Sequence, residues 1–106
     1  MIKSYMKGDH KAHISIEDIK SLTAGYFNIS LSDLISNKKQ RNYSYPRQLG
    51  MYLCRKYTDL SFKEIGDSFG NRDHSTVIYA VRRIEKNKAK TEGISNDLNK
   101  IENLIT

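Results

Sequence analysis

A chain of 106 residues with 18 Lys+Arg against 12 Asp+Glu, one Cys, one Pro and no Trp has room for one domain, which excludes a nucleotide-driven motor or a two-domain enzyme. Its surplus of six positive charges favours an acidic partner, whether nucleic acid, an anionic membrane surface or an acidic protein. The lone Cys54 excludes an internal disulfide framework and Cys-rich zinc sites, and His10, His13 and His74 lack metal-ligand spacing, so no metal is expected. In chain order, residues 1–13 show no clear periodicity and read as a linker or a frayed helical end. Ser15 then opens a helix: its hydroxyl can cap free N–H groups, and Glu17 and Asp18 suit the positive end of the helix dipole. Ile16, Ile19, Thr23, Tyr26 and Phe27 give that helix one apolar face. A short second helix follows from Ser30, with Asp33 placed as a capping-box-like partner, and ends near Ser36. Residues 37–42 contain no apolar side chain and read as an exposed basic loop.

A third helix is predicted from about Tyr45-Pro46, since proline is tolerated in a first turn. Leu49, Tyr52, Leu53 and Tyr57 share one face and Met51 and Cys54 the other, the pattern of a central helix apolar nearly all round. Its polar remainder is a stripe through Gln48 and Arg55, with Arg47 near the start. Ser61-Phe62-Lys63-Glu64 is a capping box for a fourth helix whose buried stripe is Phe62, Ile65 and Phe69. Gly70 and Asn71 suit a sharp turn, and Asp73 can cap the fifth helix. There Val77, Ala80, Val81 and Ile84 point one way, and Ser75, Tyr79, Arg82 and Lys86 the other. After an interruption at Gly93, a last helix carries Ile94, Leu98, Ile101 and Leu104 or Ile105. No strand-like alternation occurs, so the fold class is all-α, a compact domain of about six helices.

The charge is not spread evenly along these elements. Residues 38–58 hold six cations and no acid, and residues 74–90 hold five cations and one acid, while the intervening segments are mildly acidic. Two basic blocks flank the segment from Ser61 to Lys86, which has the form of a helix-turn-helix. A DNA major groove ~12 Å wide admits one helix, and side chains at its N-terminal end must be short yet able to hydrogen-bond. Asp73-His74-Ser75-Thr76 meets that requirement: Asp can accept from cytosine N4, His can donate to a purine, and a Thr methyl can pack on a thymine methyl. Tyr43, Tyr45, Tyr52 and Tyr57 fall at helical spacing and read as core rather than as stacking platforms. His74 beside Asp73 and Ser75 cannot form a catalytic triad, because neighbours on one helical turn do not converge on one atom. Gly66 and Gly70 are followed by no Lys-Ser/Thr and preceded by no strand, so no phosphate loop is indicated.

The run from Glu64 to Val77, with Gly-Asn-Arg-Asp-His-Ser-Thr-Val at 70–77 and Pro46-Arg47-Gln48 before it, resembles the C-terminal DNA-binding domain of the bacterial replication initiator DnaA. The resemblance extends over residues 14–106 and implies a Trp-repressor-like helix-turn-helix. It implies that the recognition helix reads the DnaA box of replication origins through Asp73, His74, Ser75 and Thr76. It also implies a minor-groove contact from the basic loop. The family's arginine there is matched by Lys39, which keeps the charge but lacks the planar fork; Arg41 can share or take over that insertion. Phosphate contacts map onto Arg47, Gln48, Arg55 and Arg83; Lys63, at a position where family members can carry proline, and Arg72 are added to them.

The expected function is therefore sequence-specific binding of double-stranded DNA without catalysis. Residues 1–13 would be a linker or the end of a connecting helix, and residues 14–106 the binding domain. No cofactor is expected in this chain; ATP belongs to a separate motor domain of a full-length initiator. The chain is thus either an excised fragment or a free-standing relative, and as an isolated domain it is expected to be monomeric. Regulatory proteins of initiation and anionic phospholipid are further candidate partners. No stretch approaches the ~20 apolar residues of a membrane span, and the N-terminus lacks an apolar signal core; a cytoplasmic, nucleoid-associated protein is expected. Two other readings are a helix-turn-helix transcription regulator and a basic module docking on an acidic protein or lipid.

Overall fold

Four helices begin where the sequence supplies an oxygen to their first backbone N–H groups. The structure, a computed structural model that describes residues 14–105, contains α1 (Ile16–Tyr26), α2 (Leu31–Leu34), α3 (Arg41–Tyr57), α4 (Phe62–Ser68), α5 (His74–Asn87) and α6 (Glu92–Ile105), with no strand among the described residues. The Ser15 hydroxyl accepts from the Asp18 N–H at 3.1 Å, and the Asp18 carboxylate accepts in return from the Ser15 N–H. Ser61 and Glu64 make the same reciprocal pair at the start of α4, at 3.1 and 2.8 Å. At α2 the Ser30 hydroxyl accepts from the Asp33 N–H, but the Asp33 carboxylate turns away to Lys38 Nζ at 2.8 Å. Asp73 caps α5 by accepting from the Ser75 N–H at 3.0 Å. The segment 1–13 read as a linker lies outside the described residues.

Two boundaries differ from the sequence reading. α3 starts at Arg41, a turn earlier than Tyr45, so Arg41 and Asn42 belong to a helix and the loop shortens. Pro46 is inside the helix and buried. The bond it forgoes is to the carbonyl of Asn42, an exposed residue of the first turn, where the loss is least costly. Likewise Gly93 does not interrupt α6 but sits in its first turn.

α3 is the axis of the domain. Leu49, Met51, Tyr52, Leu53 and Cys54 are buried around it, and α1, α2, α4 and α5 pack against it. Ile19, Leu34, Ile65, Phe69, Val77, Ile84 and Ile101 fill the space between helices with essentially no exposure, each such side chain contributing about 1.5–3 kcal/mol. Of the alternatives for the end of α6, Ile105 is the buried residue and Leu104 is exposed. Burial also pushes the Cys54 thiol up to about 12, so it acts as a small apolar side chain. Two carboxylates fasten α6: Asp97 accepts from Tyr26 Oη at 2.6 Å and from Tyr45 Oη at 2.7 Å, tying α1, α3 and α6 together, and Glu102 accepts from Lys56 Nζ at 2.7 Å and Tyr57 Oη at 3.0 Å of α3. Among the described residues no helix is long and apolar enough to cross a membrane.

Candidate nucleic-acid interface

The turn between α4 and α5 is closed by backbone groups. The Arg72 N–H donates to the Gly66 carbonyl at 2.8 Å, and the Asn71 N–H reaches the Asp67 carbonyl at 3.4 Å. Gly70 and Asn71 have φ of 86° and 59°, the left-handed region that glycine enters freely and asparagine at low cost. At Gly66 a Cβ would overlap the Arg72 carbonyl oxygen and lie 3.3 Å from Val77 Cγ2, so the two helices approach this closely only with glycine there.

This turn aims α5. Val77, Ala80 and Ile84 are buried, while Asp73, His74, Ser75 and Thr76 are all exposed at its N-terminal end. Hydrogen bonds from Ser75 are the chief cause holding the Asp73 carboxyl below its usual carboxylate range. It is therefore an ionised acceptor at neutral pH, with one oxygen on the Ser75 N–H and the other 3.8 Å from His74 Nδ1. Farther along the same side, Tyr79 is 60 % exposed, and Arg82, Arg83 and Lys86 are exposed as well. The sequence pattern marks Tyr79, Arg82 and Lys86 only as outward-facing. Their spacing from Ser75 is nevertheless that of one helical stripe, and they gather with Ser75 and Arg83 along one open concavity.

The other expected contact residues differ in exposure and in what they already engage. Lys38 is paired with Asp33 and lies over the Tyr43 ring at 5.0 Å. Arg41 is exposed, but its guanidinium lies over the Tyr45 ring at 4.8 Å. Lys39 is exposed in the loop before α3 and makes no hydrogen bond or ion pair among the described residues. Gln48 is half-buried. Arg55 is exposed, with its guanidinium 4.1 Å from the Phe62 ring centre and Nη1 on the Leu60 carbonyl at 3.2 Å. Lys63 is exposed and pairs with Asp67 across one turn of α4.

Arg47 and Arg72, two of the expected phosphate contacts, are engaged with backbone carbonyls inside the domain. Arg47 is 6 % exposed, and its Nε donates to the Leu34 carbonyl at 2.7 Å. Desolvation, with repulsion from Arg72 as a lesser cause, lowers its guanidinium to about 10. Arg72 is half-buried and donates from Nη2 to the Ser36 carbonyl. Both serve backbone inside the domain, as Lys20 also does by donating to the Ser68 carbonyl at the end of α4.

Three comparisons bear on this surface. Residues 16–84 match the family described as the bacterial dnaA protein helix-turn-helix. The chain is 38% identical over 104 residues to the chromosomal replication initiator protein DnaA of Magnetococcus marinus, covering 98% of this chain but 23% of that protein. The chain thus spans about a quarter of the length of the curated relative it matches. A crystal structure of a DNA replication initiation factor superposes on 86% of this chain and 29% of its own, with a TM-score of 0.71 and 30% identity.

Proposed function

Because the chain belongs to the bacterial DnaA helix-turn-helix family, we propose that it binds double-stranded DNA of the DnaA-box type at a replication origin, without catalysis of its own. α5 enters the major groove and presents Asp73, His74, Ser75 and Thr76 to base edges. Lys39 reaches the adjacent minor groove; Arg41, engaged with Tyr45, supports the loop's charge from the base of the arm. Gln48, Arg55, Lys63 and Arg83 hold phosphates and fix register, with Arg82 and Lys86 extending the charged face. The observation that carries this reading is the exposure of four consecutive short or planar polar side chains on the N-cap and first turn of a 14-residue helix flanked by exposed cations.

ATP control of initiation is assigned to residues outside this chain. Binding as a monomer in the cytoplasm, on the nucleoid, is part of the same proposal, as is modulation by regulatory proteins or anionic phospholipid at other surfaces. Fluorescence anisotropy with a labelled DnaA-box duplex, competed by unlabelled box and by a shuffled duplex, tests it. The box is expected to compete at least about a hundredfold better, a threshold set below the usual specificity range of roughly 10³–10⁷ because a single small module reads it. Equal competition by the shuffled duplex would overturn the sequence-specific reading.

A further inference from the structure

The C-terminal end of α2 and the residues after it lie where three parts of the domain meet. A helix ends on carbonyls without helical partners and on the negative pole of its dipole, and here the Leu34 carbonyl and, just beyond it, the Ser36 carbonyl accept from arginines elsewhere in the fold. Arg47 of α3 donates from Nε to the Leu34 carbonyl and reaches the Asp33 carbonyl from Nη2 at 3.5 Å. Gly70 of the helix-turn-helix turn is pressed against the Ile35 carbonyl so closely that a Cβ would overlap its oxygen. Arg72 of the same turn donates from Nη2 to the Ser36 carbonyl. The chain leaving this clasp is the loop that carries Lys39, and the residue after Arg72 is Asp73, the cap of α5.

We propose that Arg47 and Arg72 are positioning residues that fasten the Lys39 arm to the recognition helix, so that the two engage DNA as one rigid fork. This rests on the two-groove reading above. The physical reason is preorganisation: an arm of four to six residues held only at its ends would lose conformational freedom on binding, whereas a loop already fixed at its base loses less. Arginine suits the task because its planar donors span neighbouring carbonyls in a fixed geometry that lysine lacks. The Leu34 and Ser36 carbonyls, each accepting from one of the two guanidiniums, oppose the repulsion between them. A phosphate that drew either guanidinium away would leave the Leu34 or the Ser36 carbonyl without the arginine donor it now has.

A double-mutant cycle on DNA affinity separates positioning from direct contact. Box-duplex binding is measured over a salt series for the wild type, Lys39→Ala, Arg72→Met and the double variant, each checked for a cooperative thermal melt. Lys39→Ala and Arg72→Met are each expected to weaken binding roughly tenfold, the scale of one contact, and the double variant no further, because the arm that Arg72 holds no longer carries its cation. Additive losses, with the salt slope falling by about one for each substitution, would make Arg72 a phosphate ligand and overturn the proposal alone. An unchanged affinity in Lys39→Ala would overturn the two-groove reading and this proposal with it. Should Arg72→Met fail to fold, Arg72→Lys, which keeps the charge but not the planar fork, replaces it; a non-additive loss with Lys39→Ala then supports positioning and an additive loss overturns it, the salt slope no longer being a criterion. The Arg47 Nε–H provides a readout free of mutation: slow solvent exchange of its NMR signal, undisturbed on adding box duplex, is expected. Loss of that protection on binding would mean that the guanidinium leaves the Leu34 carbonyl for DNA.

Discussion

Replacing Gly66 by alanine sets two effects of opposite sign against each other at one methyl group. Alanine in a helix interior is favoured over glycine by about 0.8–1 kcal/mol, so propensity alone predicts a more stable protein. The added Cβ, however, would overlap the Arg72 carbonyl oxygen and crowd Val77 Cγ2 at 3.3 Å. The oxygen is backbone of a turn closed by the bond from the Arg72 N–H to the Gly66 carbonyl, so it cannot move aside without lengthening that bond. Overpacking of this kind costs typically 1–3 kcal/mol, and weakening the hydrogen bond adds about 0.5–1.5 kcal/mol. After subtracting the propensity gain, a net loss of about 1–3 kcal/mol remains, which is a fall in Tm of roughly 5–20 °C for a domain of this size. Gly25→Ala is the control, because nothing lies within 4 Å of a Cβ there and glycine is simply replaced by a better helix former. It should raise stability by up to about 1 kcal/mol. Urea unfolding followed by circular dichroism measures both. A Gly66→Ala protein as stable as Gly25→Ala would mean that close approach of α4 and the turn does not set the helix-turn-helix geometry. DNA affinity should fall in Gly66→Ala even where the protein remains folded, since the turn that yields also aims α5.

His74→Ala or Thr76→Ala should cost roughly 1–3 kcal/mol in box affinity and relax base preference, whereas Arg55→Ala should weaken all duplexes alike and lower the salt slope by about one; anisotropy against single-base variants of the box over a salt series distinguishes the two patterns. Asp73→Asn should keep the melting temperature, because asparagine caps a helix about as well as aspartate, yet change the base preferred at the position it reads; an unchanged preference would confine Asp73 to capping. In acid the Asp73 cap, whose carboxyl is held low chiefly by Ser75, contributes stability that is present above the ordinary carboxylate pKa and is lost only as pH falls through the lower folded value. In base the order is reversed for the tyrosines on Asp97 and Glu102. The hydrogen bond to Asp97 pushes Tyr26 up to about 12, and burial is the main cause raising Tyr45 and Tyr57. Stability from these groups is full below pH ~10, the unfolded tyrosine value, and should fall as pH rises through the folded values; Asp97→Asn should lower the tyrosinate absorbance midpoint of Tyr26, and no change would refute the Asp97 latch.

What could be read without the structure was mostly local. Ser15, Ser61 and Asp73 mark helix starts because a cap and its N–H partner lie within three residues. The buried faces of α3, α5 and α6 follow from spacing alone, and so does the outward stripe from Ser75 to Lys86. The start of α3 was not legible, because Arg41, Asn42 and Tyr43 carry no apolar pattern and Pro46 mimics a first turn. Nor could sequence separate exposed cations from those drawn partly or wholly into the domain. Arg47 and Arg72 carry the same charge as Arg55 and Arg83, and only the folding of residues 13 and 36 positions away places carbonyls against them. The basic block at 38–58 therefore overstates the charge available to DNA. Of its six cations, Lys38 is neutralised by Asp33, Lys56 pairs with Glu102 and Arg47 is buried.

The central claim is that one face of the domain, built from the first turn of α5 and the loop before α3, receives duplex DNA. Titrating the labelled protein with a DnaA-box duplex while following backbone amide shifts tests it most directly. The account predicts the largest shifts at 73–76 and at Lys39, smaller ones at Arg55, Lys63 and Arg83, and little change on α1 and α6. Shifts concentrated on α1 and α6, with residues 73–76 unmoved, would contradict it.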